Sequence, residues 1–147
     1  MNPDFVEFLS ALLTANARFL VVGAHALAAH GVPRATGDID IWIDRQPQNV
    51  DRVWHALGEF GAPLDALGIT PEDLQQPNSV VQIGLPPRRI DILTDVSGIE
   101  FEAAWDGRLM HVVDSMNLPF LGRAGFIQNK RASGRLKDLA DIEALGE

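Results

Sequence analysis

The chain has 147 residues, of which 46% are hydrophobic and 22% charged, and this size and composition are typical of one globular domain with a buried core. The absence of cysteine excludes disulfides, thiolate chemistry and cysteine-based zinc sites. A net charge of −8 argues against non-specific nucleic-acid binding over a broad surface. No apolar run approaches the roughly 20 residues that span a bilayer, and the first residues lack the features of a signal peptide, so we expect a cytoplasmic protein without a membrane partner.

The first half of the chain alternates between helical and extended patterns. Apolar residues at helical spacing predict a first helix, and a short apolar run rich in β-branched residues then predicts a buried strand. An alanine-rich helix that Gly31 ends, a strand of alternating acidic and apolar residues, and an amphipathic helix closed by Gly61 follow. In chain order, these segments cover about 3–16, 18–23, 24–30, 37–43 and 50–61.

The second half is less regular. Three prolines between positions 61 and 78 predict a loop-rich segment with one short helix beginning at Thr70. Two strands joined by Pro86-Pro87 are predicted to form an antiparallel hairpin, and a short helix, a further strand and a helical tail interrupted near Gly134 follow. These segments cover about 79–85, 89–95, 101–105, 109–113 and 123–145.

The predicted fold class is therefore α+β, with a small mixed β-sheet covered by helices in an α/β/α-like arrangement. We expect one domain over 1–147, with a core at about 18–95 and a helical part at about 123–145.

The most informative segment is Gly-Asp-Ile-Asp-Ile-Trp-Ile, from Gly37 to Ile43. Its alternation predicts a strand with Asp38 and Asp40 on one face, about 7 Å apart at Cα. Two ionised carboxylates at that distance repel each other unless a cation lies between them. A hard cation such as Mg²⁺ fits, because it takes oxygen ligands. The alternatives are that the pair faces solvent on an edge strand or pairs with Arg34.

A second acidic strand runs through Arg89-Ile90-Asp91-Ile92-Leu93. If it lies beside the first, Asp91 completes a group of three carboxylates with Asp38 and Asp40, and this is the ligand set that one or two Mg²⁺ ions (or Mn²⁺) need to bind a nucleoside triphosphate. Taken alone, an acid such as Asp91 is more often an exposed strand residue than a metal ligand.

A strand-to-helix junction at Val22-Gly23-Ala24 precedes the acidic strand. Free backbone N–H groups at such a junction favour a phosphate, and glycine lets it approach closely. His25 follows this junction and is a candidate for contact with the substrate. Arg34 and Thr36 lie in the loop before the acids and either contact the triphosphate or only shape the turn.

These residues resemble the DNA polymerase beta-like nucleotidyltransferase superfamily. Its signature is a hydrophobic residue, Gly, then Gly or Ser, a spacer of roughly nine to thirteen residues, and Asp-hydrophobic-Asp/Glu-hydrophobic. Here Val22-Gly23-Ala24 is followed by thirteen residues and then Asp38-Ile39-Asp40-Ile41, and Asp91 matches the family's third acid. The resemblance covers about 18–95, and Ala24 departs from it by replacing the usual Gly or Ser.

The C-terminal part is similar to abortive-infection-type nucleotidyltransferase toxins and their small relatives. The residues that carry this likeness are Lys130, Ala132, Arg135, Lys137, Asp138 and Asp141. Five of the twelve basic side chains lie between 123 and 137, which indicates either a phosphate-attracting face or an ordinary solvated helical surface.

Together the resemblances imply an Mg²⁺-dependent enzyme that transfers a nucleoside monophosphate from a nucleoside triphosphate to a hydroxyl acceptor. They imply metal ligands at Asp38, Asp40 and Asp91, with Lys130 as a fourth catalytic residue. The residues expected to bind the nucleotide are Gly23, Ala24, His25, Arg34, Thr36 and Asp138.

Transfer RNA or a protein is the favoured acceptor, and the chain is then a candidate toxin with an antitoxin partner. The alternatives are an antibiotic-modifying enzyme with a small-molecule acceptor, and a non-catalytic member that binds a nucleotide or a partner.

Overall fold

The computed structural model describes residues 1–32 and 37–147, and a six-stranded sheet lies at its centre. The strands are β1 (Phe19–Val22), β2 (Ile39–Ile43), β3 (Val80–Ile83), β4 (Ile90–Leu93), β5 (Leu109–Val113) and β6 (Met116–Phe120). The helices are α1 (Pro3–Thr14), α2 (Gly23–Ala29), α3 (Pro47–Phe60), α4 (Leu64–Leu67), α5 (Phe101–Asp106), α6 (Arg123–Ser133) and α7 (Leu136–Ala144), with a 3₁₀-helix over Pro71–Leu74.

The sheet is mixed, with the strand order β3-β4-β2-β1-β6-β5. The pairs β1/β2, β3/β4 and β5/β6 are antiparallel, whereas β2/β4 and β1/β6 are parallel. Strand β2 therefore lies between β1 and β4, and its start meets the end of β1 and the start of β4. The predicted α+β class, a small mixed sheet covered by helices, is confirmed.

Strand β2 is buried on both faces rather than on one. Ile39, Ile41 and Ile43 are fully buried, as their alternation predicts. Trp42 points to the opposite face and is only 1% exposed, because its ring packs against Phe101 of α5 at a centroid distance of 5.1 Å. Most of the face that carries the acids is thus covered, and its open part is at the start of the strand.

Strand β6 is not predicted from the sequence. Asp114 and Ser115 form the two-residue turn before it, with φ of 48° and 67°, a conformation that joins antiparallel strands tightly. Pro119 lies within the strand, and a proline normally argues against a strand. Helix α4 is also absent from the prediction, which gives this loop-rich segment a single short helix beginning at Thr70.

The helical tail divides where the sequence predicts. Gly134 has φ of 66°, in the left-handed region, and α6 ends before it while α7 begins at Leu136. Phe126 and Ile142 are buried, so both helices pack on the core. Among residues 1–32 and 37–147, no helix has the length and apolar character needed to cross a membrane.

Candidate active site

Two carboxylates lie side by side on adjacent parallel strands. The β2/β4 register pairs the Cα atom of Asp40 with that of Asp91, between the pairs Ile39/Ile90 and Ile41/Ile92. In-register neighbours point to the same face of a sheet, so both side chains project together. The structure thus brings Asp91 beside Asp40, as the sequence predicts, and the role of metal ligand stays a prediction.

The electrostatics of Asp40 are those of a crowded, half-buried acid. Burial raises the pKa of Asp40 to about 6, and the charge of Asp91, a hydrogen bond to Asp91 and the charge of Asp38 act in the same direction. The positive charge of Lys130 opposes the shift. A cation at this place would favour the ionised form of Asp40, because opposite charge lowers a carboxyl pKa.

An arginine holds the other two acids. Arg89 Nε donates to Asp91 Oδ1 at 2.7 Å and its Nη2 donates to Asp91 Oδ2 at 3.1 Å, which is a bidentate pair. The same Nη2 lies 3.4 Å from Asp38 Oδ2, and the Arg89 backbone N–H donates to Asp38 Oδ1 at 2.9 Å. No role for Arg89 is predicted from the sequence. Its position two residues before Asp91, on the same face of an extended segment, is the signal that could have indicated the pair.

Gly23 allows Asp40 to approach the end of β1. Val22, the last residue of β1, pairs with Asp40 across the sheet, and α2 begins at Gly23 with φ of 70°. A Cβ atom at this position would collide with Asp40 Oδ2. The glycine is therefore required both by its backbone conformation and by the carboxylate that packs on it.

His25 lies beside the same junction, on α2. Its ring meets the Phe5 ring edge-on at 6.0 Å, and Nε2 lies 3.5 Å from the Gly37 carbonyl oxygen. Burial lowers the pKa of His25, so its imidazole is neutral at neutral pH. The contact with Gly37 places His25 beside the residue that precedes Asp38. Contact of His25 with a nucleotide stays a prediction. Arg34 and Thr36 lie outside the described residues.

Helices α6 and α7 bring a lysine and an acid to the site. Lys130 Nζ lies 3.4 Å from Asp138 Oδ1, and Arg135 Nε donates to Asp138 Oδ2 at 2.7 Å. The Asp138 side chain is fully buried, and the Lys130 side chain is 14% exposed. The hydrogen bond from Arg135 and the charge of Lys130 hold the pKa of Asp138 below its usual range. Asp138 therefore positions Lys130, whose charge reaches Asp40.

The donor chemistry fits a hard divalent cation, because Asp38, Asp40 and Asp91 together offer six carboxylate oxygens. Among the residues that the structure describes, however, no three His, Cys, Asp or Glu side chains are arranged to share one metal ion. The ion pairs of Arg89 account for two of the three acids. A metal ion bound by these acids would have to replace the Arg89 guanidinium.

One further side chain borders the site, and a separate cleft lies away from it. Gln82 of the edge strand β3 pairs with Asp91 on the side away from Asp40, and its side chain is exposed, so it is a polar neighbour that the sequence analysis missed. A cleft of about 530 Å³ lies at the opposite ends of β2 and β4, where Arg45 and Asp95 form an ion pair at 3.5 Å. Asp38, Asp40 and Asp91 do not line this cleft.

Comparison with known proteins finds this fold among solved structures. One is a proposed nucleotidyltransferase, TM1012 of Thermotoga maritima, with a TM-score of 0.57 and 16% identity over 99% of this chain and 92% of that one. Another is ANT(2″)-Ia in complex with adenylyl-2″-tobramycin, with a TM-score of 0.58 and 12% identity over 96% of this chain and 84% of that one. No family model and no curated protein matches the sequence. At these identities the likeness establishes a shared fold.

Proposed function

We propose that this chain is a nucleotidyltransferase that uses a divalent cation, Mg²⁺ or Mn²⁺, to transfer a nucleoside monophosphate from a nucleoside triphosphate to a hydroxyl group, with release of pyrophosphate. The observation that carries the proposal is the in-register pair of Asp40 and Asp91, with Gly23 packed against Asp40. The likeness of the fold to TM1012 and ANT(2″)-Ia supports it.

Asp38, Asp40 and Asp91 would hold the cation. When bound there, it would supply positive charge for the triphosphate and lower the pKa of the attacking hydroxyl. The electrostatics of Asp40 support this assignment, because burial and then the charges of Asp91 and Asp38 raise the pKa of Asp40, and a cation would offset the effect of these charges. This assignment requires the Arg89 ion pairs to open.

The chain's own residues would bind and orient the triphosphate. The charge of Lys130 reaches Asp40, where it partly offsets the rise in the pKa of that acid. The Lys130 ammonium is therefore in position to neutralise phosphate charge. Gly23 and Ala24 lie at the start of α2, beside Asp40, and would offer backbone N–H groups to the phosphates. Arg34 and Thr36, which precede Asp38 in the chain, are proposed to contact the triphosphate as well. Asp138 would keep Lys130 in place rather than touch the substrate.

The acceptor is proposed to be the hydroxyl of a transfer RNA or of a protein, and the chain is proposed to act as a toxin controlled by an antitoxin partner. The basic residues of α6 and α7 beside the site support an anionic macromolecule, and Arg131 and Lys137 are exposed there. The second candidate is a small-molecule acceptor. ANT(2″)-Ia, which shares the fold, is bound to an adenylylated tobramycin, and this observation favours that candidate.

Label transfer tests the proposal. The protein is incubated with each α-labelled nucleoside triphosphate and Mg²⁺ or Mn²⁺, together with cellular RNA, protein extract or a panel of antibiotics. We expect one class of acceptor to gain label, and we expect Asp40→Ala and Asp91→Ala to abolish the transfer. Asp51→Ala, which removes an exposed acid of α3, should retain it. Failure to label any acceptor together with nucleotide binding by calorimetry would favour the non-catalytic alternative, for which Ala24 is the sequence indication.

A further inference from the structure

The Arg89 side chain is placed where a cation is needed. It makes three contacts with carboxylate oxygens of Asp91 and Asp38, at 2.7, 3.1 and 3.4 Å, and 26% of the side chain is exposed. Its charge also acts on Asp40, the third acid of the group. Lys130, whose charge also acts on Asp40, pairs with Asp138. Arg89 therefore supplies the positive charge in direct contact with two of the three acids.

We propose that Arg89 is an internal counter-cation of the site, which holds Asp38 and Asp91 in the free protein and is displaced from them when a divalent ion binds with its nucleotide. This inference rests on the proposed function. It explains how Asp38 and Asp91 can both lie near Asp40, since carboxylates close together repel each other unless a positive charge compensates them. It also makes Arg89 a positioning residue, because the acids keep their places until the ion arrives.

The local structure permits such an exchange. Arg89 precedes the first residue of β4, Ile90, so its side chain moves without breaking the strand. Its backbone N–H donates to Asp38 Oδ1, and this hydrogen bond can persist after the guanidinium has left. The released guanidinium needs an anionic partner, and a triphosphate bound at the site would provide one. Metal ion and nucleotide should therefore bind together more strongly than either alone.

Titration of Mn²⁺ into the nucleotide-free protein tests the exchange. The variants are Arg89→Met, Arg89→Lys and Arg88→Met. The last is a matched control, because Arg88 carries the same charge one residue earlier and has an exposed side chain. We expect Arg89→Met to bind Mn²⁺ at least about tenfold more tightly than the natural chain, since the competing cation is gone, and Arg88→Met to stay within about twofold. Arg89→Lys keeps the charge but loses the bidentate contact, so its affinity should fall between the two.

Circular dichroism in a chelator shows whether each variant is folded. If Arg89→Met does not fold, Arg89→Lys carries the test, and its affinity must exceed that of the natural chain. Equal Mn²⁺ affinity for the Arg89 and Arg88 variants overturns the inference. Asp91→Asn introduced into Arg89→Met should weaken Mn²⁺ binding again, which assigns the bound ion to the carboxylates that Arg89 contacts.

A second titration, in the presence of a non-hydrolysable nucleoside triphosphate, separates this inference from the proposed function. If the natural chain binds Mn²⁺ with the nucleotide but the Arg89 and Arg88 variants bind equally, the inference alone fails. If no variant binds Mn²⁺ even with the nucleotide, the proposed function fails and takes the inference with it. In the natural chain we expect nucleotide to tighten Mn²⁺ binding more than it does in Arg89→Met.

Discussion

Lys130 and Asp138 join helices α6 and α7 through an ion pair of 3.4 Å, and the acid of this pair is fully buried. The same carboxylate accepts from the Arg135 side chain and from the Arg135 backbone N–H at the start of α7. One buried acid therefore caps a helix, orders an arginine and positions the lysine whose charge reaches Asp40. The stability of the tail and the chemistry of the site are linked through it.

Asp138→Asn should destabilise the protein by about 2 kcal/mol at neutral pH, since it removes the charge from a buried, paired acid whose partners keep some contact with solvent. The pKa of Asp138 is lower in the folded protein than in the unfolded chain, so its contribution is present above pH of about 4 and is lost as the pH falls through the folded pKa. Urea unfolding of both proteins from about pH 3 to about pH 7 measures whether the difference in the free energy of unfolding shrinks as the pH falls. A deficit that persists unchanged at the lowest pH would contradict the electrostatic explanation, and Asp51→Asn provides the surface control.

Asp40→Asn should have the opposite effect on stability. The pKa of Asp40 is raised to about 6 in the folded protein, above about 3.9 in the unfolded chain, so ionisation of this acid destabilises the fold as the pH rises between these values. In a chelator at pH of about 7.5, the variant should gain on the order of 1 kcal/mol, or about 2–4 °C in melting temperature, after allowance for solvent screening. The gain should vanish at pH of about 4. Thermal melting across this range is the measurement, and a variant that is less stable than the natural chain at neutral pH would contradict the destabilising effect of burying the ionised Asp40 beside Asp91.

Gly23→Ala should cost about 1–3 kcal/mol, because alanine is strained at φ of 70° and its Cβ would collide with Asp40 Oδ2. Gly61→Ala is the matched control, since Gly61 has φ of 85° with open space around the position of a Cβ. Chemical denaturation of both variants separates backbone strain, which they share, from the collision, which only Gly23→Ala has. We also expect Gly23→Ala to lose label transfer while Gly61→Ala retains it. Equal costs and equal activities would show that the contact with Asp40 is unimportant.

Lys130→Met should lower kcat/KM for label transfer by about 10- to 100-fold, because it removes a positioned positive charge from the triphosphate. Lys137→Met removes the same charge from an exposed position of α7 and should change kcat/KM by less than about twofold. Steady-state kinetics of both variants under conditions where circular dichroism shows them folded is the check. Similar losses in the two variants would mean that Lys130 acts only through the general charge of the tail.

The meeting of Asp40 and Asp91 could be predicted from the sequence only on the condition that the two acidic strands are neighbours, and the β2/β4 pairing meets that condition. The ion pairs of Arg89 could not be predicted with the same argument. Which acids Arg89 contacts depends on the register of β4 against β2 and on where Arg89 lies just before β4. The periodicity of the sequence determines neither. Arg34 was instead considered as the partner, and it lies outside the described residues.

Strand β6 and the burial of Trp42 also could not be predicted from the sequence. The pattern of β6 is interrupted by Pro119, and its entry turn uses Asp114 and Ser115 rather than a glycine. By alternation, Trp42 falls on the same face of β2 as the acids. Phe101 of α5, which is far from Trp42 in the sequence, covers it. Both features depend on contacts between segments far apart in the chain, which a local pattern does not contain.

The covered position of Trp42 gives the protein an optical probe of its own. The residue shares a face of β2 with Asp40, two positions away, or about 7 Å along the strand. Its indole is shielded from water and donates to the Thr94 carbonyl oxygen, so its emission should be blue-shifted and sensitive to small movements of the strand. In a chain with Trp54 and Trp105 changed to phenylalanine, fluorescence would follow ion binding at the carboxylates without any added dye.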